Sequence, residues 1–337
     1  YTGKVVGKVP NCTEKDVNKA VSCAERAQKK WAKVPVHQKV ELVNKFLDLV
    51  QENRNDLAKT LCVETGKPIT QAFAEIDNVK ISFTAFSERA KHLYGAVIPA
   101  GTEAGQENTL QFTQREPLGV IGVIIPFNLP IDLFDQKVAP ALLAGNAVVI
   151  KPPHQNPSTI IKLVALMLQA GFPSGVVQVL TGDGLKTGNA ITKHPKVHGI
   201  SFTGSIAVGK SVYKNASEHF AHITLELGGN DPFILLDDAD IDLAVEEVVW
   251  GRMYNAGQVC VASKRFIVDK KVVKEFEIKV VERLKKLVVG NPLDKKTDIG
   301  TLVTLQAAEK VEKQVKNIVN QGGKILYGAK REGATYF

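Results

Sequence analysis

Three residues of the sequence are of types that could each carry out a step of chemistry, although each also has a structural alternative. Cys260 follows a Gly-Gln-Val run, and a cysteine is a strong nucleophile once its surroundings lower the thiol pKa from about 8.5. Glu226 ends an apolar stretch and precedes two glycines, where a carboxylate could act as a general base. Asn128 lies between Pro126 and Pro130, and its amide could donate to an oxyanion. Each also has an ordinary interpretation, respectively a structural cysteine, a surface carboxylate and a turn residue that caps the next helix.

A second set of residues could bind a nucleotide. The segment Phe202-Thr203-Gly204-Ser205 joins an apolar run to a stretch of helical length, so its amides could hold a pyrophosphate at a helix N-terminus. Lys151 follows another apolar run and could bind a ribose hydroxyl or a phosphate, although a solvated lysine is an equal alternative. The Gly-x-Gly-x-x-Gly fingerprint is not present, because Gly182-Asp183-Gly184 lacks the third glycine at the required place.

Apolar runs alternate with stretches of helical length after Pro117, which predicts parallel βαβ units with both faces of the sheet covered. The predicted strands are 119–125, 146–150, 176–180, 197–201 and 222–226. The predicted helices are 132–144, 157–171, 184–193 and 205–217. Asn128, Lys151, Gly204 and Glu226 stand at the ends of four of these strands or just beyond them. We therefore expect a nucleotide site at the carboxyl edge of the sheet.

The first hundred residues are predicted to be mainly helical. A helix is expected to start after Thr13 and to continue through Trp31, with Asp16 completing a capping box. Apolar residues at helical spacing predict another helix over Ile69–Ala90. Between residues 95 and 117 the pattern changes to short strands and glycines, which predicts a hairpin outside the main sheet.

The length of 337 residues favours two or more domains. A second α/β region is predicted to begin near Asp231. Its predicted strands are Pro232–Leu236 and Arg265–Val268, and its predicted helices are 240–254, 271–288 and 304–321. The fold class is therefore α/β, with a Rossmann-like nucleotide-binding unit, a second α/β unit and a projecting hairpin.

Composition and charge argue against several classes of function. The formal net charge is +8, but the lysines are interleaved with acidic residues over 275–286 and 309–316, which is typical of solvated helix faces. No nucleic-acid partner is therefore expected. No run approaches 18 consecutive apolar residues, so we expect no membrane span. Pro195 separates His194 from His198, so these two histidines would not share a helix face and we expect no metal site.

The cysteines other than Cys260 are expected to be structural. Cys12, Cys23 and Cys62 lie in or next to helical segments without the spacing of metal ligands, which favours small buried or half-buried side chains. Four unpaired thiols are typical of a reducing compartment, so we expect a cytoplasmic protein.

Taken in order and with their spacing, these motifs resemble the aldehyde dehydrogenase superfamily from Tyr1 to Phe337. The resemblance rests on the Phe-Thr-Gly-Ser, Glu-Leu-Gly-Gly-Asn and Asn-Ala-Gly-Gln-Val-Cys segments. It implies that Cys260 attacks an aldehyde, and that the Asn128 amide and the Cys260 N–H hold the oxyanion. Hydride then passes to a nicotinamide, and Glu226 activates the water that hydrolyses the resulting thioester. Lys137 matches a family lysine close to the active site.

The resemblance also implies NAD or NADP as the cofactor and divides the chain into parts. The matching cofactor positions are Ile124, Ile125, Pro126, Phe127, Lys151, His154, Gly184, Phe202, Thr203, Gly204, Ser205, Leu227 and Gly228. The nucleotide-binding domain would comprise 1–96 and 117–229, the oligomerisation hairpin 97–116, and the catalytic domain 230–337. A homodimer or homotetramer is expected. A family Glu-x-Phe-Gly-Pro motif would follow Phe337, so the chain is expected to be part of a longer one.

Departures from the family pattern bear on cofactor and substrate. His154 replaces a glutamate that binds the adenosine ribose in many NAD-preferring relatives, so our hypothesis is that NADP is accepted. Phe127 replaces a common tryptophan, as in CoA-acylating semialdehyde dehydrogenases and in the non-phosphorylating glyceraldehyde-3-phosphate branch. Glu226 favours hydrolysis over transfer to CoA, and Val259 replaces the arginine of the phosphate branch. We expect a small aliphatic aldehyde or a semialdehyde. The alternatives are an acylating enzyme and a catalytically silent structural relative.

Overall fold

Helices and mostly parallel strands make up the computed structural model of the protein, which describes residues 2–335. The strands are β1 (Val97–Ile98), β2 (Gln111–Phe112), β3 (Val120–Ile124), β4 (Ala147–Lys151), β5 (Val177–Val179), β6 (Gly199–Gly204), β7 (His222–Leu227), β8 (Pro232–Leu235) and β9 (Arg265–Val268). The helices are α1 (Glu14–Trp31), α2 (Val36–Glu52), α3 (Arg54–Thr65), α4 (Ile69–Ala90), α5 (Pro130–Leu143), α6 (Ser158–Gln169), α7 (Asn189–Thr192), α8 (Ile206–Ser217), α9 (Ile241–Met253), α10 (Val273–Lys285) and α11 (Leu305–Asn320).

The main sheet has the strand order β5-β4-β3-β6-β7, and all neighbouring strands are parallel. The chain moves outward from β3 to β5 and then returns to the other side of β3 as β6. The order therefore reverses between β3 and β6, which is where doubly wound sheets bind ligands at their carboxyl edge. This arrangement confirms the predicted α/β fold class.

Helices cover the sheet on two faces because the strand residues alternate. Val120, Ala147 and Val149 pack with α1, α7 and α8 in one apolar cluster. Val148 and Ile150, one residue out of phase, pack with α2 to α6 in another. Successive side chains of a strand point to opposite faces, so runs such as Val120–Ile124 are apolar throughout.

The prediction of a sheet covered on both faces is wrong at β7. This edge strand alternates exposed and half-buried residues, and His222, Thr224 and Glu226 are exposed. Among the described residues no element packs against that face. A second correction concerns β6, which runs through Gly204 where the sequence predicted an end at residue 201. The strand continues because Thr203 and Gly204 still pair with β7.

The structure contains the predicted helices with one exception. Thr13 donates from its N–H and its hydroxyl to Asp16 Oδ2, at 2.8 Å each, which confirms the capping box. The stretch predicted as a helix over 184–193 begins instead as a π-helical turn over Gly184–Gly188, and only α7 continues it. Asp183 causes this start, because its carboxylate accepts hydrogen bonds from the N–H groups of Leu185 and Lys186.

The remaining strands form two small sheets, as predicted. Strands β1 and β2 pair as an antiparallel hairpin of their own. Strands β8 and β9 pair in parallel, and Leu235 packs with Val245, Val248 and Phe276 in a separate apolar cluster. Of the four free cysteines, Cys62 is buried and the other three are half-buried. No helix within residues 2–335 is long and apolar enough to cross a bilayer.

A buried carboxyl group lies on α5 without a partner. Asp135 is 0% exposed, and neither of its oxygens has a hydrogen-bond donor within the described part of the chain. Burial raises the pKa of Asp135 well above 3.8, and the charges of Asp132 and Glu75 act in the same direction. Asp135 is therefore protonated in the folded protein at pH values where it ionises in the unfolded chain.

This buried acid predicts a loss of stability with rising pH. The folded state keeps a proton that the unfolded state releases, so the Asp135 contribution falls by about 1.4 kcal/mol per pH unit between the unfolded pKa and the raised folded pKa. We expect Asp135→Asn to remove this pH dependence. Between pH 5 and pH 7, the free energy of unfolding of the variant, measured in urea, should therefore rise relative to that of the wild type. Asp77→Asn, at an exposed ion pair, is the control. Parallel stability profiles of wild type and Asp135→Asn would contradict the prediction.

Candidate active site

The turn that carries Asn128 is held by its backbone while its side chain stays free. Asn128 was open to interpretation as a cap, but Leu129 occupies the N-cap position of α5 and no side chain caps that helix. The capping interpretation is therefore wrong. The side-chain amide of Asn128 donates to no acceptor in the part of the chain that the structure describes, and it is half-buried. It is available as an oxyanion donor.

Besides a bond from the Cys260 loop described below, three hydrogen bonds fix this turn from outside. Asn156 Nδ2 donates to the Phe127 carbonyl at 2.8 Å, and Lys67 Nζ donates to the Asn128 carbonyl at 2.9 Å. Glu75 Oε1 accepts a hydrogen bond from Ile131 N–H at 2.8 Å. Lys67 and Glu75 also form an ion pair with each other, and both side chains are 0% exposed.

The segment before Cys260 turns sharply through left-handed backbone. Asn255 and Ala256 have φ values of 51° and 53°, and Gly257 follows at 74°. Left-handed conformations cost non-glycine residues about 1–2 kcal/mol. Hydrogen bonds stabilise the turn: Gln71 Oε1 accepts from Asn255 N–H at 2.9 Å, and Gln258 Nε2 donates to the Asn255 carbonyl at 3.0 Å.

Two contacts connect the Cys260 segment to its surroundings. Upstream, Asn255 Nδ2 donates to the Asn128 carbonyl at 2.9 Å, so the loop that leads to Cys260 is bonded to the turn that carries Asn128. Downstream, Lys264 Nζ donates to the Cys260 carbonyl at 2.7 Å and pairs with Asp231 at 3.2 Å. The structure therefore brings the segments of Cys260 and Asn128 together. Cys260 itself is free and half-buried.

Glu226 lies in β7 and is exposed, which agrees with the interpretation as a solvent-facing carboxylate at the edge of the sheet. It is within electrostatic range of Lys137 on α5. Burial lowers the pKa of Lys137, and the charge of Glu226 opposes that shift. The two predicted residues are therefore close enough to interact electrostatically.

The residues predicted to bind the cofactor lie along the carboxyl edge of the main sheet. Ile124 pairs in register with both Lys151 and Phe202, and Gly204 pairs with Leu227. Ile125, Pro126 and Phe127 continue directly from β3. His154, Gly184, Ser205 and Gly228 are exposed in the loops and helix starts beyond the strands.

Lys151 is buried, so the alternative of an ordinary solvated lysine is wrong. Its ammonium donates to the Pro152 carbonyl at 3.0 Å, and burial lowers the pKa of Lys151 while the charge of Asp183 opposes the shift. Two backbone N–H groups, of Lys186 and Leu185, lower the pKa of Asp183, and His154 and Lys151 add to this effect.

These features fit a dinucleotide. Thr203 Oγ1 is buried without a hydrogen-bond partner among residues 2–335, as a hydroxyl that meets a ligand would be. A Cβ on Gly184 or Gly228 would meet no atom within 4 Å, so space is open beside both. Ser205 caps α8 through Val208 N–H at 3.4 Å, and the other first-turn amides have no intrahelical acceptor and can bind phosphate.

Several residues that build the site were not singled out from the sequence. They are Lys67, Glu75, Gln71, Asn156 and Asp183. A Gly-Lys-Pro run marks Lys67, and the Gly-Asp-Gly turn marks Asp183, but nothing local points to the other three. Within the described residues no group of three His, Cys, Asp or Glu side chains could hold a metal ion.

Comparison with known proteins agrees with this geometry. The model of the aldehyde dehydrogenase family matches residues 1–337. A lactaldehyde dehydrogenase of Methanococcus aeolicus is 36% identical over 341 residues, which cover 100% of this chain and 72% of that protein. A 3-sulfolactaldehyde dehydrogenase of Priestia aryabhattai is 38% identical over 336 residues, which cover 100% of this chain and 70% of that protein.

The fold is also similar to that of a solved structure. The crystal structure of glyceraldehyde-3-phosphate dehydrogenase GapN from Methanocaldococcus jannaschii, complexed with NADP, has a TM-score of 0.95 and 36% sequence identity. The match covers 100% of this chain and 73% of that one. The chain therefore belongs to the aldehyde dehydrogenase family and is an NAD(P)-dependent enzyme of aldehyde oxidation, as its motifs predicted.

Proposed function

We propose that the protein oxidises a small aldehyde to the carboxylic acid through covalent intermediates on Cys260. The observation that carries this proposal is the uncommitted amide of Asn128, in a turn bonded to the loop of Cys260 at 2.9 Å. A free donor fixed beside a nucleophile is the arrangement that stabilises an oxyanion. A silent structural relative would have no need for it.

In the first half of the reaction the Cys260 thiolate adds to the carbonyl carbon. The carbonyl oxygen becomes an oxyanion, which accepts hydrogen bonds from the Asn128 amide and the Cys260 N–H. A nicotinamide cofactor, when bound, would supply the hydride acceptor. Once the tetrahedral carbon has lost hydride, the C–O double bond reforms and Cys260 holds a thioester.

In the second half Glu226 takes a proton from a water molecule, and the resulting hydroxide adds to the thioester carbon. The C–S bond then breaks, which releases the carboxylic acid and restores the thiolate. The exposure of Glu226 gives water direct access to the carboxylate. Lys137 lies within electrostatic range of Glu226, and the charge of Glu226 opposes the lowering of the Lys137 pKa by burial.

The cofactor would lie along the carboxyl edge of the sheet, held by the strand ends and the start of α8. Thr203 and the first-turn amides of α8 would take the pyrophosphate, and Lys151 the ribose or a phosphate. His154 is exposed and carries no acidic charge, so it supports acceptance of the 2′-phosphate of NADP.

The substrate that these residues favour is a small aliphatic aldehyde or a semialdehyde. The names of the lactaldehyde and 3-sulfolactaldehyde dehydrogenases, both relatives, support a short aldehyde. Val259, beside the nucleophile, offers no charge for a phosphate. A CoA-acylating enzyme is the second candidate, but Glu226 in reach of water favours hydrolysis.

The protein is proposed to act as a homodimer or homotetramer in the cytoplasm. Val97, Leu110 and Phe112 of the hairpin are 75%, 80% and 64% exposed, and apolar side chains gathered on a projection are typical of a contact surface. The four free thiols support a reducing compartment. We retain 1–96 with 117–229 as the nucleotide-binding domain, 97–116 as the hairpin and 230–337 as the catalytic domain.

The covalent route predicts that Cys260→Ala abolishes turnover. Formation of reduced nicotinamide from a panel of short aldehydes and semialdehydes should fall by about 10³-fold or more, because no other residue can form the thioester. Cys12→Ala, at a half-buried thiol elsewhere, should keep its activity. Turnover by the wild type should not require CoA. Absolute dependence on CoA would place the protein in the acylating class.

The proposed role of Glu226 predicts that its substitution slows hydrolysis of the thioester but not its formation. Glu226→Gln should still release about one equivalent of reduced nicotinamide per site in a burst, because thioester formation does not use the base. Steady-state turnover should fall by about 10²–10⁴-fold. Rapid-mixing absorbance at 340 nm measures both phases, with exposed Glu218→Gln as the control. A burst lost together with turnover would show that Glu226 acts before hydrolysis.

His154 predicts the cofactor preference. Introducing a carboxylate with His154→Glu should repel the 2′-phosphate and lower kcat/KM for NADP relative to NAD by about 10-fold, which corresponds to about 1.4 kcal/mol. His154→Gln, which adds no charge, should leave the ratio close to that of the wild type. Negligible NADP turnover by the wild type would remove the hypothesis.

A further inference from the structure

The Asn128 carbonyl accepts hydrogen bonds from two side chains of different origin. Lys67 Nζ, from the segment between α3 and α4, lies at 2.9 Å. Asn255 Nδ2, from the turn that leads to Cys260, also lies at 2.9 Å. A carbonyl oxygen has two lone pairs, so these two donors saturate it. This one atom is the point where the two halves of the active site meet.

The two donors differ in what they hold. Lys67 is fixed by its ion pair with Glu75, and Glu75 in turn accepts from Ile131 N–H, so this donor belongs to the α4–α5 side. Asn255 is 2% exposed and belongs to the Cys260 loop. Through its hydrogen bond to the Asn128 carbonyl, the Asn255 side chain fixes the position of that loop relative to Asn128, the proposed oxyanion donor.

The backbone conformation of Asn255 determines where its side chain can make this hydrogen bond. Its left-handed conformation, with φ 51° and ψ 39°, reverses the chain five residues before Cys260. Asparagine tolerates this conformation better than most residues, because its short polar side chain can bond locally. Gln71 holds the Asn255 N–H and Gln258 holds its carbonyl, so backbone and side chain are all committed.

We propose that Asn255 is a positioning residue, which sets the distance between the Cys260 nucleophile and the Asn128 amide through the Asn128 carbonyl. The inference rests on the proposed function, in which Cys260 attacks the carbonyl carbon of the substrate and Asn128 donates to the oxygen of the same carbonyl. Asn255 touches neither substrate nor cofactor in this scheme. Its loss would leave a thiolate that reacts normally but an oxyanion without its aligned donor.

Asn255→Gly is the variant that isolates this contact. Glycine adopts a positive φ without strain, so the turn can persist while the amide donor is removed. Asn255→Asp keeps the side chain's size and replaces the donor by an acceptor facing the Asn128 carbonyl. Asn146→Asp is the matched control, because Asn146 is an equally buried amide that bonds Gly119 N–H and the Ala141 carbonyl at the amino edge of the sheet.

Two assays that need no cofactor separate positioning from folding. Acylation of Cys260 by p-nitrophenyl acetate passes through an oxyanion, whereas alkylation by iodoacetamide needs only the thiolate. In Asn255→Gly we expect acylation to slow by about 10²-fold, the effect of losing one oxyanion-hole donor, with alkylation within about threefold of the wild type. Asn146→Asp should change neither rate relative to the fraction of folded protein.

A double-mutant cycle tests whether Asn255 acts through Asn128. If it does, Asn128→Ala combined with Asn255→Gly should acylate no more slowly than Asn128→Ala alone. Additive losses would overturn the proposal, as would wild-type acylation by Asn255→Gly. Equal slowing of acylation and alkylation would also overturn it, since it would indicate a merely structural role. Acylation that persists in Cys260→Ala would instead refute the proposed function.

Discussion

The buried ion pair between Lys67 and Glu75 is the interaction on which the site depends. Both side chains are 0% exposed, and each makes a second bond to the same turn, one to the Asn128 carbonyl and one to Ile131 N–H. Removing one partner of such a pair costs about 3–5 kcal/mol, because the other charge stays buried without compensation. The pair therefore helps to fix the conformation of the turn that carries Asn128.

The Asn128 carbonyl that Lys67 binds is also bonded to Asn255, in the loop that leads to Cys260, and the backbone of this loop is strained. Asn255 and Ala256 adopt left-handed backbone, and such residues persist only where surrounding contacts over-determine them. Here Gln71, Asn128 and Gln258 supply those contacts. The hydrogen bonds offset the strain: the side chain of Gln71, the backbone carbonyl of Asn128 and the side chain of Gln258 in the same loop all bond to Asn255, where the chain reverses.

The sequence predicted what depends on local pattern. The strands were recognisable because buried parallel strands are continuous apolar runs, and β9 and α4 have the predicted bounds. The motifs predicted Cys260, Glu226 and Asn128 as site residues. Lys67 and Glu75 were not predicted, since a lysine and a glutamate eight residues apart usually indicate a solvated surface. They are buried where α4 packs against α5, and the hydrophobic periodicity of the sequence does not predict this contact between helices.

The two halves of the chemistry make opposite demands, and the fold separates them. Addition of the thiolate needs a donor fixed relative to the nucleophile, and buried side chains whose hydrogen bonds are satisfied supply that rigidity. The proposed hydrolysis needs water beside a base, and Glu226, the proposed base, is one of the alternate residues that β7 exposes. The loop of the proposed nucleophile is thus bonded to the turn of Asn128, while the proposed base lies exposed on β7. A base enclosed in the Lys67–Glu75 network would have its carboxylate committed and no path for water.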